Sequence, residues 1–489
     1  MRLRVVTLSA ALVATGAGPV AASQPATAPV VAPVALTTPV FSLRRLPAMV
    51  ARTVADGHLS ADLDRALSDP VLAGARDRSC LIVGEGGSGV THYSRRAGLG
   101  LIPASTLKLL TTATALAQLG SEATLKTEIR SASPPADGSV GELYIVGGGD
   151  PLLSTAEFSV DAGYLGQPRR STSIEALADK VVATGVRRVG RILGDETRYD
   201  AQRGVPSWNP RYIADFEISP ISALVVNKAF TSANPAAVAA SPPSHAAGVL
   251  ATLLKARGVT VGETGAGKAP AATTLLTTIE SAPLRDVVAE ILQNSDNLGA
   301  EMLLKELGTR PGTPGTTAAG LAAVTAFLGV TAGPGAEGMA TVDGSGLDRS
   351  DRVTCALLQG VLGQAGPAGP LTTGLAVAGR NGTLFRRFLG TSAAGKVRAK
   401  TGSLEGVSAL AGFATARDGR TLTFSLVAND LPNASTGSAL QDKVVNVLAG
   451  YPRAPGVEEL GPRPPAPISA ISVIGPEGRS RKHSGGGAP

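Results

Sequence analysis

The segment that most constrains what this chain can fold into is Pro103-Ala104-Ser105-Thr106-Leu107-Lys108, because the stretch after it, Leu109 to Leu119, carries no charge. An apolar run of that length, closed by Gly120, predicts a buried helix. Residues three apart on a helix share a face, so the Ser105 hydroxyl and the Lys108 amine point the same way. A lysine in such a helix must find partners or give up its proton, since an unpaired buried ammonium is costly. A neutral lysine beside a serine is a base beside a nucleophile. The same tetrad also arises by chance about once in a chain of this length. Its meaning therefore rests on what accompanies it.

Composition removes several function classes. Hydrophobic residues make up 43% and charged residues 17%, the balance of a globular chain. At 489 residues it is expected to form two or three domains. Arg2 and Arg4, the apolar run Val5 to Val20 and the small residues before Ser23 predict a cleaved secretory signal over 1–22. The mature protein is then expected to be secreted, in the cell wall or periplasm. No later stretch reaches the roughly 20 apolar residues of a membrane span, so membrane contact is expected to be at most peripheral. The net charge of +7 falls to +5 once Arg2 and Arg4 leave with the signal, and the basic residues are scattered. No stripe of basic and aromatic residues marks a nucleic-acid surface. His58, His92, His245 and His483 sit in no metal spacing and near no candidate nucleophile. A zinc hydrolase and a Ser-His-Asp triad are thus poor readings, and neither metal nor cofactor is expected. Cys80 and Cys355 either form one disulfide or remain two buried thiols.

The chain divides into recognisable blocks. An Ala/Pro/Thr-rich leader covers 23–41. Ser79 to Val83 and Val90 to Ser94 predict a hairpin around Glu85-Gly86-Gly87-Ser88-Gly89. Short strands (Leu125 to Ile129, Glu142 to Val146, Val189 to Leu193) and helices (Ile174 to Thr184, Gly248 to Arg257) predict an inserted, mainly β region over 125–280. Leu284 to Ile291 and Leu298 to Leu307 read as two helices separated by Ser295-Asp296-Asn297. Val397 to Ser403, Val407 to Ala414 and Leu422 to Ala428 read as three consecutive antiparallel strands. A last helix places Leu440, Val444, Val447 and Leu448 on one face and stops at Gly450. The Pro-, Gly- and Arg-rich residues 453–489 read as a disordered tail.

Three short motifs then line up in order: Ser105-Thr106-Leu107-Lys108, Ser295-Asp296-Asn297 and Lys400-Thr401-Gly402-Ser403. Ser207-Trp208-Asn209 and Ser232-Ala233-Asn234 also fit Ser-x-Asn, but no helix leads into either. Acyl transfer needs a nucleophile, a base, an acid for the leaving amine and donors for the oxyanion. Ser105 is the expected nucleophile and Lys108 its base. Ser295 is expected to relay a proton to the leaving nitrogen, and Asn297 to hold a substrate amide. Lys400 supplies positive potential, the Thr401 and Ser403 hydroxyls suit a terminal carboxylate, and Gly402 admits close approach of the substrate. The backbone N–H groups of Ser105 and Ser403 are the expected oxyanion donors. Alone, Lys400 reads better as an edge-strand guard against aggregation.

The ordered trio is that of serine β-lactamases and penicillin-binding proteins. The chain resembles the class C low-molecular-mass penicillin-binding proteins, the D-Ala-D-Ala carboxypeptidases/endopeptidases of peptidase family S13. The 190 residues between Ser105 and Ser295, and the absence of Glu-x-x-Leu-Asn after Ser295, set it apart from class A β-lactamases. Gly148-Gly149-Asp150-Pro151, Asp343-Gly344-Ser345-Gly346-Leu347 and Pro220 to Leu224 followed by Asn227 also match. The resemblance implies an α/β, transpeptidase/β-lactamase-like sandwich, a five-stranded antiparallel sheet flanked by helices. Its catalytic domain would comprise 42–124 and 281–452. Peptidoglycan peptides would be substrates and β-lactams inhibitors. The resemblance also implies that Asp150 binds the free amine of a diaminopimelate side chain, although Thr155 stands where relatives often carry an aromatic residue. Read from the residues alone, Asp150 is a turn aspartate before a proline, and Asp343 to Leu347 a structural turn. A β-lactamase or esterase on the same scaffold, and a non-catalytic wall-binding protein, are the competing readings.

Overall fold

Strand periodicity, not helix content, decides the architecture. The computed structural model describes residues 46–160, 169–232, 237–331 and 337–454. The expected signal (1–22), leader (23–41) and all of the expected tail but Arg453 and Ala454 lie outside the described residues. Residues 1–50 and 51–489 are separate units. Only Leu46 to Val50 of the first is described, and the account below concerns the second.

In chain order, the elements that matter begin with helix α1 (Leu46–Leu67), strands β1 (Ser79–Glu85) and β2 (Thr91–Arg95), and helix α2 (Lys108–Leu119). The middle region holds β3 (Lys126–Ser131), β4 (Ser139–Val146), the two-residue strands β5 (Leu153–Ser154) and β6 (Thr172–Ser173), and α3 (Ile174–Ala183). It continues with β7 (Arg188–Asp195), α4 (Pro242–Lys255), β8 (Thr260–Ala266) and β9 (Thr274–Glu280). Helices α5 (Leu284–Asn294), α6 (Asn297–Leu307), α7 (Thr317–Thr331) and α8 (Cys355–Ala365) follow. Strands β10 (Ala376–Val377), β11 (Val397–Leu404), β12 (Val407–Thr415) and β13 (Thr421–Ala428) lead to α9 (Ala434–Gly450).

The first sheet runs β10-β11-β12-β13-β1-β2, every neighbouring pair antiparallel. It has six strands rather than the five expected, because β10 is two residues long and too short to leave a pattern in the sequence. Side chains alternate across it, and both faces are covered. Leu410 and Ala414 of β12 join α1 and α9 in one core, with Leu63, Leu81, Phe424 and Val444. Ala409, Ala411 and Phe413 turn the other way, onto Leu109, Val288, Leu304 and Leu358. This period of two is what a strand buried on both faces requires. Removing a large side chain from either layer, such as Phe424→Ala, is expected to cost about 3–5 kcal/mol.

The middle region forms a second sheet, β8-β7-β4-β3-β9. Its β4–β7 and β7–β8 pairs are parallel. Parallel neighbours need crossover connections, and α3 and α4 supply them. The region is therefore an α/β unit, with more helix than a mainly β reading anticipates. Helix α4 begins at Pro242, six residues before the start read from the sequence. Prolines are tolerated in a first helical turn, where the missing N–H has no partner to lose.

The two sheets are joined through α6. Tyr199, Trp208 and Ile221 pack with Leu298, Met302 and Leu347. Arg198 pairs with Glu306, and Lys305 with Asp200. Cys80 of β1 and Cys355 at the start of α8 form a disulfide, which the sequence left open.

Candidate active site

The Ser105 turn is a 3-10 turn, Ala104–Leu107, that runs directly into α2. Ala104 holds a φ of 46°, a left-handed value that costs a non-glycine residue energy and so needs support. Asn429 at the end of β13, itself buried, supplies some of it. Its side-chain oxygen accepts from the N–H of Ile102 at 2.8 Å, and its amide donates to the Ile102 carbonyl at 3.0 Å. Beneath the turn lies Gly346, with a φ of 79°. A Cβ there would come within 2.0 Å of the Ala104 carbonyl oxygen, so only glycine fits.

Lys108 is fully buried. Its Nζ donates to Ser105 Oγ at 2.9 Å, Asn297 Oδ1 at 2.6 Å and the Ser345 carbonyl at 2.7 Å. The amide of Asn297 is oriented from its far end, where Nδ2 donates to the Glu217 carbonyl at 2.7 Å. Burial pulls the Lys108 ammonium down to about 8, while the charges of Asp343, Glu301, Asp296 and Glu217 act against that fall. Asp343 holds the 343–347 turn in place. Its carboxylate accepts from the N–H groups of Ser345, Gly346 and Asp348 and from Trp208 Nε1 at 2.9 Å. Glu301, buried on α6, accepts from the Gly344 N–H at 2.9 Å, and burial and Asp343 push its carboxyl upward.

Across the cleft, Lys400 is equally buried. It donates to Ser295 Oγ at 2.8 Å and to the Thr401 carbonyl at 2.7 Å. Burial lowers its pKa strongly and the Lys108 charge lowers it further. Ser295 ends α5 in the left-handed region, with a φ of 57°. Strand β10 pairs only with Arg398 and Ala399 of β11. Beyond Ala399 no described strand covers that edge of β11, and there Thr401 and Ser403 line a cleft of about 610 Å³ together with Ser105, Ser295 and Asn297. The edge-guard reading of Lys400 does not hold, because its side chain is inside the protein.

A model of the D-Ala-D-Ala carboxypeptidase 3 (S13) family matches residues 59–241 and 230–451. This chain belongs to that family. It is 33% identical to the D-alanyl-D-alanine carboxypeptidase of Actinomadura sp. (strain R39), over 85% of this chain and 90% of the relative. It is 33% identical to carboxypeptidase DacB of Mycolicibacterium smegmatis, over 87% and 89%. Among solved structures, penicillin binding protein 4 of Haemophilus influenzae matches in fold with a TM-score of 0.66 at 19% identity, over 80% of this chain and 99% of that one.

In this S13-family chain, Ser105, Lys108, Ser295, Asn297, Lys400, Thr401 and Ser403 meet around one cleft. Gly402 sits beside them with a different neighbour from the one anticipated. A Cβ on it would meet the Pro103 carbonyl at 2.8 Å and Ala104 Cβ at 3.2 Å, so the glycine lets β11 press against the Ser105 turn. Asp150 is buried and is not among the residues lining the cleft. It accepts from the Leu152 N–H at 2.9 Å, and burial raises its pKa to about 6. Asn209, from a discounted Ser-x-Asn, lines the cleft rim, though its side chain caps the Arg211 N–H at 3.0 Å. Sequence reasoning missed Asn429, Glu301 and the Ser345 carbonyl. The turn at Asp343 to Leu347 was visible as a turn, but nothing in its composition pointed to Lys108.

Proposed function

We propose that this protein is a serine-type D-Ala-D-Ala carboxypeptidase that cleaves peptidoglycan stem peptides through a Ser105 acyl-enzyme and is acylated by β-lactams. The observation that carries this reading is the set of three partners around Lys108 Nζ. Asn297 Oδ1 and the Ser345 carbonyl can only accept, so each fixes one N–H of the amine. Ser105 is the one partner of the three that can also donate. When Lys108 is neutral, its lone pair therefore faces the Ser105 hydroxyl. With a pKa of about 8, roughly one molecule in ten holds the neutral amine at pH 7.

The chemistry follows from that geometry. As Ser105 Oγ bonds to the carbonyl carbon of the penultimate D-Ala, its proton passes to Lys108 Nζ. The backbone N–H groups of Ser105 and Ser403 take the oxyanion. The C–N bond then breaks, and the proton that Lys108 took passes through Ser295, whose hydroxyl Lys400 holds, to the leaving nitrogen, so that Lys108 is neutral again. The Thr401 and Ser403 hydroxyls, on the open edge of β11, receive the departing carboxylate. Water next attacks the ester, giving its proton to Lys108, and the Ser105 oxygen leaves with a proton. The N-terminal pattern of Arg2, Arg4, an apolar run and small residues supports action outside the cytoplasm. No helix among the described residues is long and apolar enough to cross a membrane.

Intact-mass measurement after brief exposure to penicillin tests the reading. Wild-type protein is expected to gain one antibiotic mass and Ser105→Ala none, and the wild type is expected to release D-Ala from a stem peptide. A wild-type protein that does neither would overturn it.

A further inference from the structure

The middle region touches the Ser295-Asp296-Asn297 segment through Lys228 and Glu217, and the first of these has no part in the chemistry above. Asn227, Lys228 and Ala229 have φ values of 54°, 53° and 58°. Three consecutive non-glycine residues in the left-handed region are costly, and tertiary contacts must hold them there. Those contacts are present on both flanks. Ala229 is buried, and Asn227 Oδ1 accepts from the Thr155 N–H at 2.8 Å. Between these anchors, Lys228 extends its ammonium to within 2.7 Å of Asp296 Oδ2, with side chains 14% and 5% exposed. Burial alone would raise the Asp296 carboxyl, but the Lys228 ammonium, together with the Gly299 N–H and the charge of Arg169, holds it below the ordinary value.

Asp296 is the middle residue of the Ser295-Asp296-Asn297 segment. Its neighbours on either side hold Lys400 and Lys108 by direct hydrogen bonds. The middle region's second contact, the Glu217 carbonyl, fixes the amide of Asn297. The segment that bridges the two active-site lysines is thus held from outside by two groups of the same lobe. One is a backbone carbonyl. The other is an ion pair delivered by a strained turn.

We propose that Lys228 is a positioning residue for the acyl-transfer reaction, acting through Asp296 to hold Ser295 and Asn297 in register with Lys400 and Lys108. This rests on the carboxypeptidase reading above and assigns to the middle region the task of completing the active site. Removing the ammonium leaves a buried carboxylate without its paired counter-charge, with only the charge of Arg169 still acting on it. The carboxylate must then turn toward water, and the residues on either side of it move with it. Binding of a β-lactam to the open edge of β11 does not depend on that contact, whereas the acylation step does.

The test is stopped-flow or quenched acylation of the full chain by a β-lactam, separating the limiting acylation rate from the half-saturating concentration. Lys228→Met is expected to lower the limiting rate ten- to a hundredfold and to change the half-saturating concentration less than threefold. Lys228→Arg is expected to stay within threefold of wild type in both. Lys228→Met combined with Asp296→Asn removes both charges of the pair, and is expected to recover most of the lost rate. That double variant also serves if Lys228→Met alone does not fold. An unchanged rate in Lys228→Met, or a folded double variant as slow as or slower than the single one, would overturn the proposal while leaving the carboxypeptidase reading intact. A wild-type protein that is never acylated would remove both.

Discussion

The cleft contains two serine–lysine pairs built in opposite ways. Ser105 and Lys108 are three residues apart, and the 3-10 turn that runs into α2 sets their contact. Ser295 and Lys400 come from the end of a helix and the middle of a strand, 105 residues apart, and only the tertiary fold brings them together. Both lysines are fully buried. They differ in what surrounds the charge. Lys108 has three oxygen partners and four carboxylates acting on it, so burial lowers it only to about 8. Lys400 has two oxygen partners, and the one charge that shifts it resolvably is repulsive. In the reaction proposed above, the local pair exchanges the proton and the distant pair directs a hydroxyl. A helix can place two groups reliably, but only the tertiary fold can set their electrostatics.

This contrast can be broken or sharpened by experiment. Removing the base should have the largest effect: Lys108→Met is expected to slow β-lactam acylation on the order of 10³-fold. A loss no greater than that of Lys400→Met would mean that the two pairs do not have different jobs. For Lys400→Met the expected loss is smaller, about 10²-fold. A second readout is the pH dependence of acylation. In wild type that rate should rise with pH through a midpoint near 8, since the base is the deprotonated amine. A rate that falls over this range would rule out Lys108 as the base. Gly402→Ala is expected to slow acylation about tenfold and to lower stability by about 1–3 kcal/mol. The new methyl group would meet the Pro103 carbonyl at 2.8 Å and displace the Ser105 turn. The smallest change in rate should come from replacing Cys80 and Cys355 together by alanine. Stability measured by denaturant unfolding should drop by about 2–5 kcal/mol, with acylation of the folded protein within twofold of wild type.

Much of the frame was legible before any coordinates. The three C-terminal strands fall within two residues of their expected ends, because Glu405-Gly406 and Asp418-Gly419 mark the turns between them. The turn between α5 and α6 was visible because two amphipathic helices stop and start around Ser295-Asp296-Asn297. Strand β10 was not visible, since two residues carry no period. The early start of α4 was hidden by Pro242 and Pro243, which read as a break but sit comfortably in a first turn. Of the site, the residues with reactive side chains were found and those that support them were not. Asn429 looks like any asparagine after a strand, and its two bonds to Ile102 cross 327 residues of chain.

The sequence alone determined which groups are present and in what order: a hydroxyl and an amine one turn apart, a Ser-Asp-Asn between helices, and a Lys-Thr-Gly on a strand. Local spacing and hydrophobic period are properties of the chain itself, so these could be read from it. Only the tertiary structure decided that Cys80 meets Cys355, that Asp150 closes a turn away from the cleft, and that Ser345 offers its carbonyl to Lys108. Each depends on distances between segments far apart in the chain. Those distances follow from how two sheets and their helices pack, and no local pattern encodes them.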